Sequence, residues 1–147
     1  MPGLADVTVG DRIPQRQERV DQERLIRYAG ASGDFNPLHW DAAFAERVSP
    51  TGGVIGHGML SMGLVSAAVT AWAGGPERVR SISASFRAAC PVGETLTIGG
   101  EVTDVDAEAG TATLAVWAEL PDGSAVVDRR RSRAVVELEA PAQAAQR

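Results

Sequence analysis

The chain has no lysine, one cysteine and two histidines in 147 residues. Each scarcity narrows what it can be. A single thiol, Cys90, excludes an internal disulfide framework and suits a reducing cytosol. It is expected to be a small buried filler rather than a reactive group. Two histidines without a cysteine cluster do not make a zinc-type ligand set, so neither a metal nor a cofactor is expected. All 14 cations are arginine, and 19 acidic residues leave a formal charge of −5. That balance, with no dominant basic stripe, argues against a nucleic-acid binder. Met1-Pro2-Gly3-Leu4-Ala5-Asp6 lacks the basic and apolar regions of a signal peptide. No apolar run is comfortably long enough for a bilayer, so a cytoplasmic protein without membrane contact is expected. The chain shows no internal repeat. One domain over residues 1–140 and a disordered tail over 141–147 are predicted.

The richest stretch is Tyr28-Ala29-Gly30-Ala31-Ser32-Gly33-Asp34-Phe35-Asn36-Pro37-Leu38-His39. Gly33 and Pro37 prevent a regular helix across it, and Asn36 before proline favours an extended or turn geometry. Asp34 and His39 thus sit five residues apart on a shaped loop. A carboxylate and an imidazole held together are what proton transfer on a small substrate needs. An isolated Asp and His would more commonly cap a turn and make an ordinary hydrogen bond.

Around that loop, Asp21 predicts a helix cap with a helix to about Tyr28, and Asp41 caps a second helix, Ala42 to Val48, with Phe44 and Val48 as its apolar face. From Met59 to Ala73 apolar residues cover every side of a helical wheel without a charge. A wholly buried core helix is predicted there, ended by Gly74-Gly75-Pro76. Beyond it the period changes to two. Ile82, Ala84 and Phe86 alternate with serines, and Ala112, Leu114, Val116, Ala118 and Leu120 form a one-sided strand. With further strands at Leu96–Thr103 and from about Ala125 to Leu138, four antiparallel strands are expected. The fold class is α+β, a single hot-dog in which an antiparallel sheet wraps one buried central helix. Such a unit leaves sheet edges open and is expected to pair with a second subunit.

The residues Tyr28, Ser32-Gly33-Asp34, Asn36-Pro37-Leu38-His39 and Ala45 resemble the signature of the MaoC-like dehydratases and R-specific enoyl-CoA hydratases. Gly56-His57-Gly58-Met59 and Cys90-Pro91-Val92-Gly93-Glu94-Thr95-Leu96 are similar to that family as well. The wording Gly33 to Asp41 looks nearest to the catalytic B-type subunit of actinobacterial (3R)-hydroxyacyl-ACP dehydratases. The resemblance spans about residues 7 to 139.

It implies a hydro-lyase that interconverts (R)-3-hydroxyacyl and trans-2-enoyl thioesters by syn hydration or dehydration, linked to coenzyme A or acyl carrier protein. Asp34 and His39 are then the catalytic pair, holding one water between them. Gly58, at the start of the buried helix, has a backbone N–H free to act as the oxyanion hole. Asn36 either contacts substrate or braces the loop, and Ser66 matches a supporting polar position. His57 is read as packing or bracing the helix start. Arg129, Arg131 and Arg133 alternate on the last strand, a solvated face or a docking site for an anionic carrier. The partner is a second copy or a related hot-dog subunit. The competing functions are a hot-dog acyl thioesterase and a non-catalytic acyl-binding subunit. The first is disfavoured because Met59 to Ala73 has no Asp, Glu or His, and the second because Asp34 and His39 are both present.

Overall fold

A computed structural model describes Gly3 and residues 6–139 of the chain. The predicted tail over 141–147 lies outside the described residues. In chain order the elements are β1 (Arg16–Arg19), α1 (Gln22–Ser32), α2 (Ala42–Val48), α3 (Gly58–Ala73), β2 (Val79–Ser83), β3 (Thr95–Asp106), β4 (Thr111–Glu119), β5 (Ala125–Val127) and β6 (Arg133–Glu137).

The strands form one antiparallel sheet in the order β1-β3-β4-β6-β2, with β5 paired to β4. It has six strands rather than the four expected. One addition is Arg16–Arg19, whose Arg-Gln-Glu-Arg sequence carries no apolar alternation and pairs with Thr95–Ile98 at the sheet edge. The other comes from a break in the final strand. Residues 129–131 form a turn, so the arginines do not alternate along one strand face. Asp128 makes that turn by accepting the Arg130 N–H at 2.9 Å on its carboxylate and the Ser132 N–H at 2.9 Å on its carbonyl.

Helix α3 lies against the sheet through Leu60, Ser61, Val65, Ala68, Val69 and Ala73, all buried. Burying these apolar groups beside Leu96, Ile98, Leu114, Val116 and Val127 builds the core. The helix is not wholly buried in the single chain, contrary to the wheel-based expectation. Met59 is 56% exposed, and Gly63, Ala67 and Ala71 continue its open face at helical spacing. Gly74, in the left-handed region at φ 91°, ends the helix.

Two smaller differences concern the helices before it. Helix α1 continues past Tyr28 to Ser32, because Gly33 at φ 76° supplies the left-handed cap and donates to the Ala29 carbonyl. The broken segment is therefore shorter than the sequence suggested. In α2 the buried residue is Ala45, while Val48 is 55% exposed and Phe44 only half-buried. A helix this short can turn only one small side chain fully inward.

Candidate active site

The Asp34–His39 loop is shaped almost entirely by local hydrogen bonds from side chain to backbone. The Ser32 hydroxyl donates to the Tyr28 carbonyl and accepts the Asp34 N–H. The Asp34 carboxylate accepts the Asn36 N–H at 3.2 Å, and Asn36 Oδ1 accepts the Leu38 N–H at 3.0 Å. Asn36 thereby caps a single 3-10 turn, Pro37–His39, in which proline supplies a preset φ and gives up no needed donor. Trp40 Nε1 closes the loop by donating to the Phe35 carbonyl. Ser32, Asp34 and Asn36 favour a turn because their short polar groups compete with regular backbone pairing.

The geometry brings Asp34 and His39 side by side. His39 Nε2 lies 3.9 Å from Asp34 Oδ2, too far for a direct hydrogen bond. The imidazole is almost buried, and the carboxylate is 51% exposed. The other ring nitrogen, Nδ1, is 2.7 Å from the Ile55 carbonyl. A carbonyl only accepts, so Nδ1 carries a proton, and the tautomer this selects for a neutral ring has a bare Nε2 toward Asp34.

His57 completes the group from the start of α3. It is 2% exposed, its Nε2 is 3.1 Å from the Asp34 carbonyl, and its ring stacks on His39 with centroids 3.8 Å apart. Tyr28 meets the His57 ring edge-on at 4.9 Å. Burial pushes the His57 pKa below the ordinary histidine range. The hydrogen bond to the Asp34 carbonyl opposes that shift, and the His39 ring adds to it. The sequence marked His57 only as a brace, and the Gly56-His57-Gly58 triplet was the signal for its place. Asp34, His39 and His57 each bring one potential ligand atom within 4.8 Å of the others. The two carbonyl bonds already made by the rings fix their orientation without a cation.

Gly58 follows directly as the first residue of α3, and among the described residues its N–H has no acceptor. Its φ is not positive, and a Cβ added there would meet the Phe86 ring at an ordinary 3.5 Å. Neither backbone strain nor crowding by the protein calls for glycine at 58. Gly56 differs, since a Cβ there would press on Val20 at 3.1 Å. Ser66 lies two turns further along α3, half-buried, and donates its hydroxyl to the Met62 carbonyl at 2.8 Å. Its hydroxyl proton is thus committed to its own helix.

Two of the four arginines at and after the turn between β5 and β6 are occupied. Arg129 bridges to Glu101 at 2.6 Å and covers the Trp117 ring at 4.2 Å, while Arg133 donates to the Arg129 and Ser132 carbonyls. Cys90 is buried, and burial first, then Glu94, pushes its thiol up to about 11.

A family profile described as "MaoC like domain" matches residues 6–119 of the chain. The 3-hydroxybutyryl-CoA dehydratase of Methylorubrum extorquens is 31% identical over 107 residues, 72% of this chain and 68% of that protein. The fatty acid synthase beta subunit of Emericella nidulans is 43% identical over 74 residues, 49% of this chain. This chain spans 4% of that subunit's length. Among solved structures, an (R)-hydratase from A. caviae involved in PHA biosynthesis superposes with a TM-score of 0.81 at 31% identity, over 90% of this chain and 97% of that one.

Proposed function

Because this chain belongs to the MaoC-like domain family, we propose that it is a hydro-lyase interconverting 3-hydroxyacyl and trans-2-enoyl thioesters, with Asp34 and His39 as its proton-transfer pair. The observation that carries this is the 3.9 Å gap between His39 Nε2 and Asp34 Oδ2, with both atoms free to accept. A water oxygen placed between them can donate one hydrogen to each at normal distances of about 2.8 Å.

In the hydration direction the water oxygen bonds to C3 of the enoyl group as one of its protons passes to the pair. The electrons of the C2–C3 double bond move toward the thioester carbonyl, giving an enolate. The Gly58 N–H, at the positive end of α3, stabilises the oxygen that gains charge. The pair then returns one proton to C2, so water adds in full and neither side chain is consumed. Dehydration runs the same steps backwards.

The names of the relatives fit this chemistry: one is a CoA dehydratase, one a fatty acid synthase subunit, and one an (R)-hydratase. The carrier of the acyl group is accordingly coenzyme A or an acyl carrier protein. The uncharged open face of α3 supports pairing with a second hot-dog subunit, a copy or a related chain, and so does the unpartnered edge of β2 among the described residues.

Asp34→Asn and His39→Ala test the assignment. Each should lower hydration of crotonyl-CoA, followed by loss of enoyl-thioester absorbance, by about 10²- to 10⁴-fold with the fold intact. Near-normal rates in both would remove Asp34 and His39 from the chemistry. The mass of the purified chain on size-exclusion chromatography, read beside its activity when alone, separates an active homodimer from a chain that needs a different partner.

A further inference from the structure

Taking the proposed hydration chemistry as its basis, we infer that His57 is a positioning residue: a neutral imidazole that holds Asp34 and His39 in register with the Gly58 amide. Its side chain makes no cap bond to its own helix, although His57 is the N-cap of α3. Its hydrogen bond and its stacked face both go outward to the loop. The Nε2–H is donated to the Asp34 carbonyl at 3.1 Å, and the ring face lies on His39 at 3.8 Å with an interplanar angle of 25°. The next peptide N–H belongs to Gly58. One side chain therefore ties together the backbone of the carboxylate, the ring of the base and the amide proposed to hold the thioester oxygen.

Neutrality follows from the hydrogen bonds. The Asp34 carbonyl only accepts, so Nε2 carries the proton, and a neutral ring then leaves Nδ1 bare. That atom is enclosed and has no hydrogen-bond partner among the described residues. A proton added to it would put a buried charge against His39 with nothing to receive the second N–H. The titratable groups that face the ring are His39 on its flat side, Tyr28 at its edge and the half-exposed Asp34 carboxylate beyond the carbonyl. Burial lowers the tendency of His57 to protonate, in agreement with this arrangement.

Histidine is the residue that fits both contacts. A flat ring is needed to lie on His39, and a donor at the far tip is needed to reach the Asp34 carbonyl. Glutamine retains the donor and lacks the ring. Phenylalanine retains the ring and lacks the donor. A histidine that merely filled space would cost stability on substitution while the surviving folded enzyme kept its kcat.

The test compares His57→Gln and His57→Phe with the wild-type chain. Misplacement of a reacting group by about 1 Å costs on the order of 10²-fold, so His57→Phe should lower kcat on crotonyl-CoA by tens of fold or more, with KM changed less than about threefold. His57→Gln should recover part of that loss, because the donor to Asp34 is restored. NMR supplies a readout that does not need turnover. Only two imidazoles contribute ring-nitrogen signals, and His57 should appear as the neutral Nε2–H form and titrate below the ordinary histidine range. In His57→Phe the backbone order of residues 34–39 should fall. Wild-type kcat in both variants would overturn the inference, and so would unchanged loop order in His57→Phe. If the wild-type chain fails to hydrate enoyl thioesters both alone and with its partner subunit, the hydration assignment falls, and the NMR arm still decides the positioning role.

Discussion

Asp34 and Asp128 both stand where a regular element breaks, yet the chain treats them in opposite ways. Asp128 is buried at 7% exposure, takes the Arg87 guanidinium at 2.6 Å and the Arg130 N–H at 2.9 Å, and anchors its own peptide N–H on the Ser85 carbonyl. The Arg130 N–H and the Arg87 contact hold its carboxyl below the ordinary aspartate range against the opposing effect of burial. Asp34 is half exposed, accepts a single N–H at 3.2 Å and faces an imidazole that stops short of it at 3.9 Å. One carboxylate is fully occupied in holding a turn. The other is held by its neighbours while its Oδ2 stays free, and that difference separates structure from chemistry in this fold.

The sharpest way to break the comparison is to remove an uncommitted group while leaving structure alone. Gly58→Pro does this, because proline is tolerated at the first position of a helix and removes the N–H, while Gly58→Ala, which keeps the amide and adds only a Cβ, reports the effect of bulk. The preceding residue already has φ −64° and ψ 133°, a conformation that proline permits before it. Loss of one oxyanion-hole donor costs about 10²- to 10³-fold in kcat. Hydration of crotonyl-CoA should fall by that factor while the melting midpoint stays near wild type. A variant with full kcat would show that the Gly58 amide is not used.

How far the sequence foretold these two regions follows from the range of the interactions in each. The Asp34 loop is built from contacts two to five residues apart, such as Ser32 with Tyr28 and Trp40 with Phe35, so its residues carry their own geometry. The chain's only tyrosine stands at its near end, and its two histidines stack beside it. The pairing of His57 with the Asp34 carbonyl, 23 residues away, depends on where α3 docks and could be placed only by the fold. The Asp128 turn is held by Arg87, 41 residues distant, which is why the period-two pattern of residues 125–138 reads as one strand instead of two. Strand β1 carries no sequence signal for a related reason. An edge strand needs only backbone pairing, and Arg16–Arg19 has no apolar face to reveal it. The open face of α3 was hidden by the helix itself, since small and apolar residues all round give no sign of which side meets the sheet.

The occupied side of the comparison predicts an effect on stability and none on chemistry. Asp128→Asn should lower the melting midpoint, with kcat per folded molecule unchanged. Its pH dependence has a defined sign. A carboxyl held below its unfolded pKa contributes stability that is present above the ordinary aspartate range, about 3.9, and is lost as the pH falls through the folded value. Thermal melts of the wild-type chain from pH 6 downward should therefore show a loss that is shallower in Asp128→Asn. Equal acid sensitivity of the two proteins would mean that the Arg130 N–H and Arg87 do not hold this carboxylate.

The smallest effect is expected where charge is committed at the surface. Arg129 reaches Glu101 at 2.6 Å and covers Trp117 at 4.2 Å, but it is 44% exposed, and Glu101 also bonds Arg12 at 3.0 Å. Losing the arginine leaves the carboxylate paired, and exposed ion pairs contribute about 0.2–1 kcal/mol. The cation over the indole adds on the order of 0.5–1 kcal/mol at such a site. Trp117 has a second support, because Gly99 on the neighbouring strand leaves the room its ring occupies, and a Cβ there would collide with it. Arg129→Ala should thus cost about 1 kcal/mol or slightly more in chemical denaturation, with kcat unchanged on CoA thioesters. A large fall in kcat/KM at unchanged stability would instead place Arg129 in contact with the carrier, and this turn would join the Asp34 loop as a working surface.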